Sequence, residues 1–299
     1  MRYRPFGVSG AAVSNITLSL GFDALSRGRG GALDLIYSAL EAGVNSYALE
    51  DADPITAEVL GEALSHVERK LVCVSLTLGV GEGRQSARDF SAEGLTGAID
   101  RVLHYSGLGW IDVGVLSEPG EQELPQSSLD ALKALRRTER VRLLGVSGDG
   151  EVMDTYVSTG AFDVLVTPFN LRSGWPVRNR IRAAREQDMA IFAYDYFQDR
   201  RQRRDDAPPV KRGLFGFGGG KAPAPEAKTD PYDFLYRTPK WSAEAICLTY
   251  ALTDPSIASV IVRAHDIERL KELAEAPERD MPPGLAAQIE MARVALHAA

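Results

Sequence analysis

Short apolar runs alternate eight times with helical patterns along this chain, and that rhythm leaves few folds open to it. Strand-like runs fall at Ile16–Leu20, Ser46–Leu49, Leu71–Leu78, Trp110–Leu116, Val141–Val146, Val164–Pro168, Met189–Tyr194 and Ile257–Val262. Helix-period patterns follow them at Gly31–Ala42, Ile55–Val67, Ala92–Ser106, Ser127–Arg137, Glu151–Thr159, Trp175–Gln187, Ser242–Leu252 and Asp266–Glu275. Strands joined by helical crossovers pair in parallel, and eight such units close most economically into an α/β (β/α)8 TIM barrel. The length of 299 residues suits one such barrel over 1–299 with small additions. Two additions are visible: a hairpin over Arg2–Ser14 turning at Gly7-Val8-Ser9-Gly10, and a last helix at Pro283–His297.

Composition narrows the function classes. Charged residues at 25% and hydrophobic residues at 44% are ordinary for a globular chain. A net charge of −7 argues against a general nucleic-acid binder. No apolar run approaches the ~18 residues of a membrane span. Met1-Arg2-Tyr3-Arg4-Pro5-Phe6-Gly7 lacks the apolar core of a secretory signal, so a cytoplasmic location is expected. Cys73 and Cys247 sit far apart in apolar runs and read as buried free thiols. His66, His104, His265 and His297 are dispersed without metal-ligand spacing. The glycine-rich run at 213–220 lacks the Gly-Lys-Ser/Thr ending of a phosphate-binding loop.

One segment interrupts the alternation. Residues 199–236 lie between the seventh strand pattern and the next helix, far beyond the ~2–6 residues of an ordinary βα loop. It opens with Arg200-Arg201-Gln202-Arg203-Arg204 and passes through Gly213-Leu214-Phe215-Gly216-Phe217 and Ala222-Pro223-Ala224-Pro225. Gly and Pro at that density exclude helix or strand interiors. Two readings stand: a solvated loop, or a flap or partner-binding arm anchored by Phe215 and Phe217.

The stretch from Gly43 to Gly61 carries a family likeness. Ala39-Leu40-Glu41-Ala42-Gly43-Val44-Asn45 before it and Glu58-Val59-Leu60-Gly61-Glu62-Ala63-Leu64 at its end resemble the aldo-keto reductases. So do the opening Met1-Arg2-Tyr3-Arg4-Pro5-Phe6-Gly7-x-Ser9-Gly10-x-x-Val13-Ser14, Trp110-Ile111-Asp112-Val113 and Leu144-Gly145-Val146-Ser147. Phe162-Asp163-Val164-Leu165-x-x-Pro168-Phe169-Asn170-Leu171, Ala193-Tyr194 and Ser259-Val260-Ile261 extend the likeness over nearly the whole chain. The resemblance implies a barrel whose bottom is plugged by the hairpin, and carbonyl reduction by hydride transfer from a nicotinamide cofactor. In that family a tyrosine donates the proton, tuned by a lysine paired to an aspartate, and a histidine orients the substrate oxygen. Carried across residue by residue, the aspartate falls at Ala48, the tyrosine at Asp53, the lysine at Thr77 and the histidine at Ser117. None is a chemical equivalent, so the resemblance implies a degenerate member that has lost its proton-delivery residues.

The cofactor positions implied by the same resemblance are half kept. Tyr194 matches the aromatic that stacks on the nicotinamide, and Ser147 a serine that holds its carboxamide, although Gly148 and Val166 replace the usual amides. Arg263 and Arg269 match the basic positions for a ribose 2′-phosphate, with Leu273 in place of an asparagine. Asp195 replaces a serine beside the pyrophosphate and repels it unless a cation such as Arg200 or Arg201 offsets the charge. Two readings stand: the half-kept site holds NAD(H), with NADP(H) left open, or Tyr194 is a plain wall residue and Arg263 and Arg269 are exposed helix charges. Degenerate members of this family act as bacterial regulators of cell division and cell fate. That implies protein partners: the tubulin-like division protein FtsZ, a sensor histidine kinase, and the ClpXP protease through the terminal Ala298-Ala299.

Two enzymatic readings compete. Glu50, Asp51, Asp53 and Glu118 form an acidic mouth for another chemistry, or Tyr47 or Tyr196 donates the proton in an otherwise ordinary NAD(P)H-dependent reductase. Tyr47 precedes position 48 on its strand, so its side chain is expected to face out of the barrel.

Overall fold

The computed structural model describes residues 1–7, 10–81, 88–198 and 231–297. Eight parallel strands close into a barrel: β1 (Ile16–Leu20), β2 (Ser46–Leu49), β3 (Cys73–Leu78), β4 (Ile111–Ser117), β5 (Val141–Ser147), β6 (Val164–Pro168), β7 (Ala190–Tyr194) and β8 (Ile257–Val262). Pairing runs around the ring without a break, and β8 returns to β1 with Val260 opposite Ile16. The helices are α1 (Gly28–Glu41), α2 (Pro54–Leu64), α3 (Ala92–Ser106), α4 (Gln126–Arg137), α5 (Glu151–Ser158), α6 (Trp175–Glu186), α7 (Ala243–Ala251), α8 (Ile267–Glu275) and α9 (Leu285–His297).

The strands alternate between two apolar layers because successive side chains point to opposite faces. Tyr47, Leu49, Val74, Leu76 and Leu78 face outward into the core shared with the helices. Cys73, Val113, Val115, Val164, Val166 and Phe192 fill the barrel interior. Tyr47 is buried among the outer residues, and its hydroxyl donates to the Val44 carbonyl at 3.0 Å. It is thereby removed from any role inside the barrel.

The interior is unevenly polar. On the β8–β1–β2 side, the Thr17 hydroxyl meets Ser46 Oγ at 2.8 Å and Ser259 Oγ at 2.7 Å. Each hydroxyl thus finds a partner away from water, which is the condition for burying it. Valines and Phe192 occupy the β4–β7 side. The floor is closed by an antiparallel hairpin, Tyr3–Pro5 against Ala12–Ser14. Phe6 and Val13 belong to the interior cluster, with Phe6 5.5 Å from the Phe192 ring centre.

Local sequence explains most boundaries. Asp53, Ser91, Ser242 and Asp266 cap the N-termini of α2, α3, α7 and α8 with side-chain oxygens, each cap contributing about 1 kcal/mol. Several boundaries shift by one to three residues from the sequence expectation, and two of the shifts have a visible cause. Helix α1 begins at Gly28 rather than Gly31, where Arg29 reaches Glu58 and Glu62 of α2. Strand β3 begins at Cys73 rather than Leu71: Arg69–Leu71 winds into a 3-10 turn, and the Arg69 guanidinium and the Val74 N–H both donate to the Asp112 carboxylate. Cys73 and Cys247 are buried free thiols. The segment 199–230, with Arg200, Arg201, Phe215 and Phe217, and the terminal Ala298-Ala299 lie outside the described residues. Among the described residues, no helix is long and apolar enough to cross a membrane.

Candidate functional site

A cavity of about 480 Å³ opens at the C-terminal ends of the strands, the end at which barrel folds carry their sites. The inward alternation that fills the interior below also determines its wall. Ala48, Thr77, Ser117, Ser147 and Tyr194, from β2, β3, β4, β5 and β7, all line it. All five are the last inward residue of their strand, so the period-two pattern fixes their aim.

Three of the four positions named for proton delivery therefore meet in one place: Ala48, Thr77 and Ser117. Asp53 does not line the cavity. It stands at the N-cap of α2, where its carboxylate accepts from the Thr56 N–H at 2.8 Å and the Thr56 hydroxyl at 2.9 Å. Pro54 behind it fixes the first helical φ, so the chain has already turned into α2 at this point. The acidic mouth is thus a different set from the expected Glu50, Asp51, Asp53 and Glu118. Asp51 accepts the Asp53 N–H at 3.0 Å and lies off the wall. The carboxylates on the wall are Glu50, Glu118, Asp195 and Glu244.

All five positions named for cofactor binding line the cavity: Ser147, Tyr194, Asp195, Arg263 and Arg269. Both arginines are already engaged. Arg263 Nε donates to Glu50 Oε1 at 2.7 Å, and Ser19 Oγ donates to the same oxygen at 2.7 Å. Arg269 Nη2 donates to Glu244 Oε1 at 2.7 Å, and the Tyr196 hydroxyl donates to that oxygen at 2.6 Å. Sequence reasoning missed Glu244. Its only local signal is its place in the first turn of α7, two residues after the capping Ser242.

Neither phenol on the wall is an acid tuned for neutral pH. Burial, then the charges of Glu118, Asp195 and Asp149, push the Tyr194 hydroxyl up to about 12, and a hydrogen bond with Ser147 offsets only part of this. Burial and the Glu244 carboxylate raise Tyr196 well above the ordinary phenol value. Among the described residues, no lysine or histidine lines the cavity. Glu118 and Asp195, which directly follow β4 and β7, both take left-handed backbone conformations, φ 47° and 51°. Such conformations cost non-glycine residues roughly 1 kcal/mol or more. They turn the chain over the rim immediately beyond Ser117 and Tyr194.

The residues present fit a nicotinamide dinucleotide. The Tyr194 ring stands in the wall beside Ser147. At the opposite end the Nε–H of Arg269 is buried with no partner among the described residues, the kind of orphaned donor an anionic group satisfies. A second hollow of about 460 Å³ continues from the mouth and shares Ser19, Glu50, Arg263 and Arg269 with it.

Bracing comes from beneath the β5 end. Arg180 of α6 is fully buried, and its guanidinium reaches the Asp149 carboxylate, Asp154 at 2.6 Å and the Gly150 carbonyl at 3.1 Å. This ties down the Gly148-Asp149-Gly150 turn that follows Ser147. Burial alone would raise the Asp149 carboxyl, but the Arg180 hydrogen bond, the Gly150 N–H and the Arg180 charge hold it below the usual range.

No family model matches the sequence, and no curated protein matches it. Among solved structures the chain is similar to the aldo-keto reductase AKR11C1 from Bacillus halodurans. The holo form superposes with a TM-score of 0.75 at 18% identity, covering 98% of this chain and 96% of that one. The apo form gives 0.69 at the same identity and coverage. The chain thus has the closed (β/α)8 barrel fold that the aldo-keto reductases use.

Proposed function

We propose that this protein is a non-catalytic aldo-keto-reductase-like barrel whose mouth binds NAD(H) and whose occupancy is read by protein partners. The observation that carries the reading is the composition of the cavity wall. Where carbonyl reduction needs a proton donor and the groups that tune it, the wall presents Ala48, Thr77 and Ser117, with no lysine or histidine among the described residues. The two phenols that remain have their acidity weakened, opposite to what a donor working near pH 7 requires. Loss of general acid catalysis alone removes about 10²–10⁴ in rate.

Bound NAD(H) would bring hydride chemistry to this mouth. Tyr194 and Ser147 would hold the ring end, while Arg263 and Arg269 would meet the anionic end. Among the described residues the wall lacks a group to deliver the matching proton, so on this reading the ligand is held rather than consumed. The kind of protein this chain resembles is the bacterial cell-division regulator KidO. On that likeness the partners are the tubulin-like division protein FtsZ and a sensor histidine kinase, with the level of the protein controlled by ClpXP through Ala298-Ala299. Occupancy shifts partner affinity only as far as the ligand distinguishes two states of the barrel.

Co-sedimentation with FtsZ polymers, with and without NADH, tests this reading. The expected result is capture that changes with NADH in the saturable range of a nicotinamide fluorescence titration. Absence of NADH binding, or capture indifferent to it, removes the reading. The second reading is an NAD(P)H-dependent oxidoreductase of altered chemistry, favoured by the fold likeness. Turnover separates the two.

A further inference from the structure

The mouth cavity and the hollow beside it share Ser19, Glu50, Arg263 and Arg269, and one ion pair crosses the boundary between them. Glu50 Oε1 receives both the Ser19 hydroxyl at 2.7 Å and Arg263 Nε at 2.7 Å. The other carboxylate oxygen lies over Gly21, where a Cβ would fall 2.4 Å from Oε2, so the absence of a side chain at 21 is what admits the carboxylate. The pair joins the ends of β2, β1 and β8, yet it is open to exchange. The Arg263 side chain is 68% exposed and that of Glu50 34%. An anion arriving from solvent can reach the guanidinium without the barrel opening.

Charge decides which anion. The wall carries Glu50, Glu118, Asp195 and Glu244 against Arg263 and Arg269, and with Arg88 paired to Glu118 at 3.2 Å the balance among the described residues is still negative by one. A dinucleotide brings a pyrophosphate into that field, and a 2′-phosphate adds close to two further charges. Like charges a few ångströms apart repel strongly where solvent screening is partial.

Resting on the reading that a dinucleotide occupies this mouth, we propose that Glu50 is a built-in stand-in for the ligand's phosphate. It holds Arg263 in the free protein and gives way when the dinucleotide enters. With Glu244 on Arg269, it also makes the site select NAD(H) over NADP(H). The selectivity lies in the carboxylates that already occupy the arginines, and not in the arginines themselves. Glu50 also begins the loop into α2, and its backbone N–H bonds the Leu20 carbonyl at 2.9 Å.

Titration of NADH and NADPH by nicotinamide fluorescence against the wild type, Glu50→Gln and Ser19→Ala tests this. Exposed ion pairs of this kind are worth up to about 1 kcal/mol, so Glu50→Gln is expected to bind NADH ~3- to 5-fold more tightly. NADPH, which meets the larger repulsion, gains by a larger factor. Ser19→Ala frees the carboxylate without removing it and falls between, which keeps the test sharp if Glu50→Gln folds poorly. NADH affinity unchanged or weakened in both variants, with the wild type binding, overturns the role of Glu50 and leaves the NAD(H) reading standing. No binding of either nucleotide to any of the three proteins overturns both.

Discussion

Replacing Arg180 with Met separates the brace under the site from the rest of the fold. The Arg180 side chain is 1% exposed, whereas its partners Asp149 and Asp154 are 55% and 48% exposed. Methionine keeps the stem volume and removes the cation. The two carboxylates then rehydrate where they stand, while the Gly150 carbonyl loses the donor that held it at 3.1 Å. Breaking a fully buried pair costs about 3–5 kcal/mol. Rehydration of half-exposed carboxylates returns part of that, so about 2–3 kcal/mol of destabilisation is expected. In urea unfolding this appears as a lower midpoint with an unchanged slope. NADH affinity falls as well, because the freed Gly148-Asp149-Gly150 turn no longer fixes Ser147. Asp154→Asn, which keeps the guanidinium buried and paired to Asp149, costs less. Equal stability of Arg180→Met and the wild type would refute the idea that this guanidinium braces the site.

Three further outcomes follow from the same geometry. Because the folded-state Asp149 carboxyl is held below its unfolded value, its contribution is present above the unfolded pKa of ~3.9 and is lost as pH falls through the folded one. Asp149→Asn flattens that part of the acid limb in a pH series of urea melts. Tyr194, pushed up to about 12, behaves with the opposite sign. Its contribution is complete below the unfolded value of ~10 and disappears as pH rises through about 12. Spectrophotometric titration of wild type against Tyr194→Phe should show no missing ionisation near pH ~10. Gly21→Ala places a methyl 2.4 Å from Glu50 Oε2, the free end of a flexible side chain. The variant should fold, push Glu50 off Arg263, and reproduce the tighter NADH titration of Glu50→Gln; weaker binding would contradict it.

How much of this was readable in advance depended on the range of each interaction. The strands show themselves as short apolar runs, and period two then sends Tyr47 outward and Ala48 inward. Capping residues such as Ser91 and Ser242 announce their helices within three residues. The wall positions Thr77, Ser117 and Ser147 were legible because each ends an inward row. The loop carboxylates were not. Asp53 and Glu50 lie three residues apart in one acidic run, yet one caps a helix and the other faces the cavity. Only the backbone turn at Pro54 separates their fates. The partner of Glu50 is 213 residues away and that of Arg269 25. Such pairs exist only after the barrel has closed, so no local pattern encodes them.

The central claim is that the mouth holds a dinucleotide without the means to deliver a proton. Its most direct test is one sample of the protein with saturating NADH or NADPH and a reactive aldehyde such as nitrobenzaldehyde, followed by nicotinamide absorbance. The account predicts bound nicotinamide, seen by its fluorescence, and no consumption above the protein-free rate. Steady, enzyme-dependent oxidation of either cofactor would contradict it.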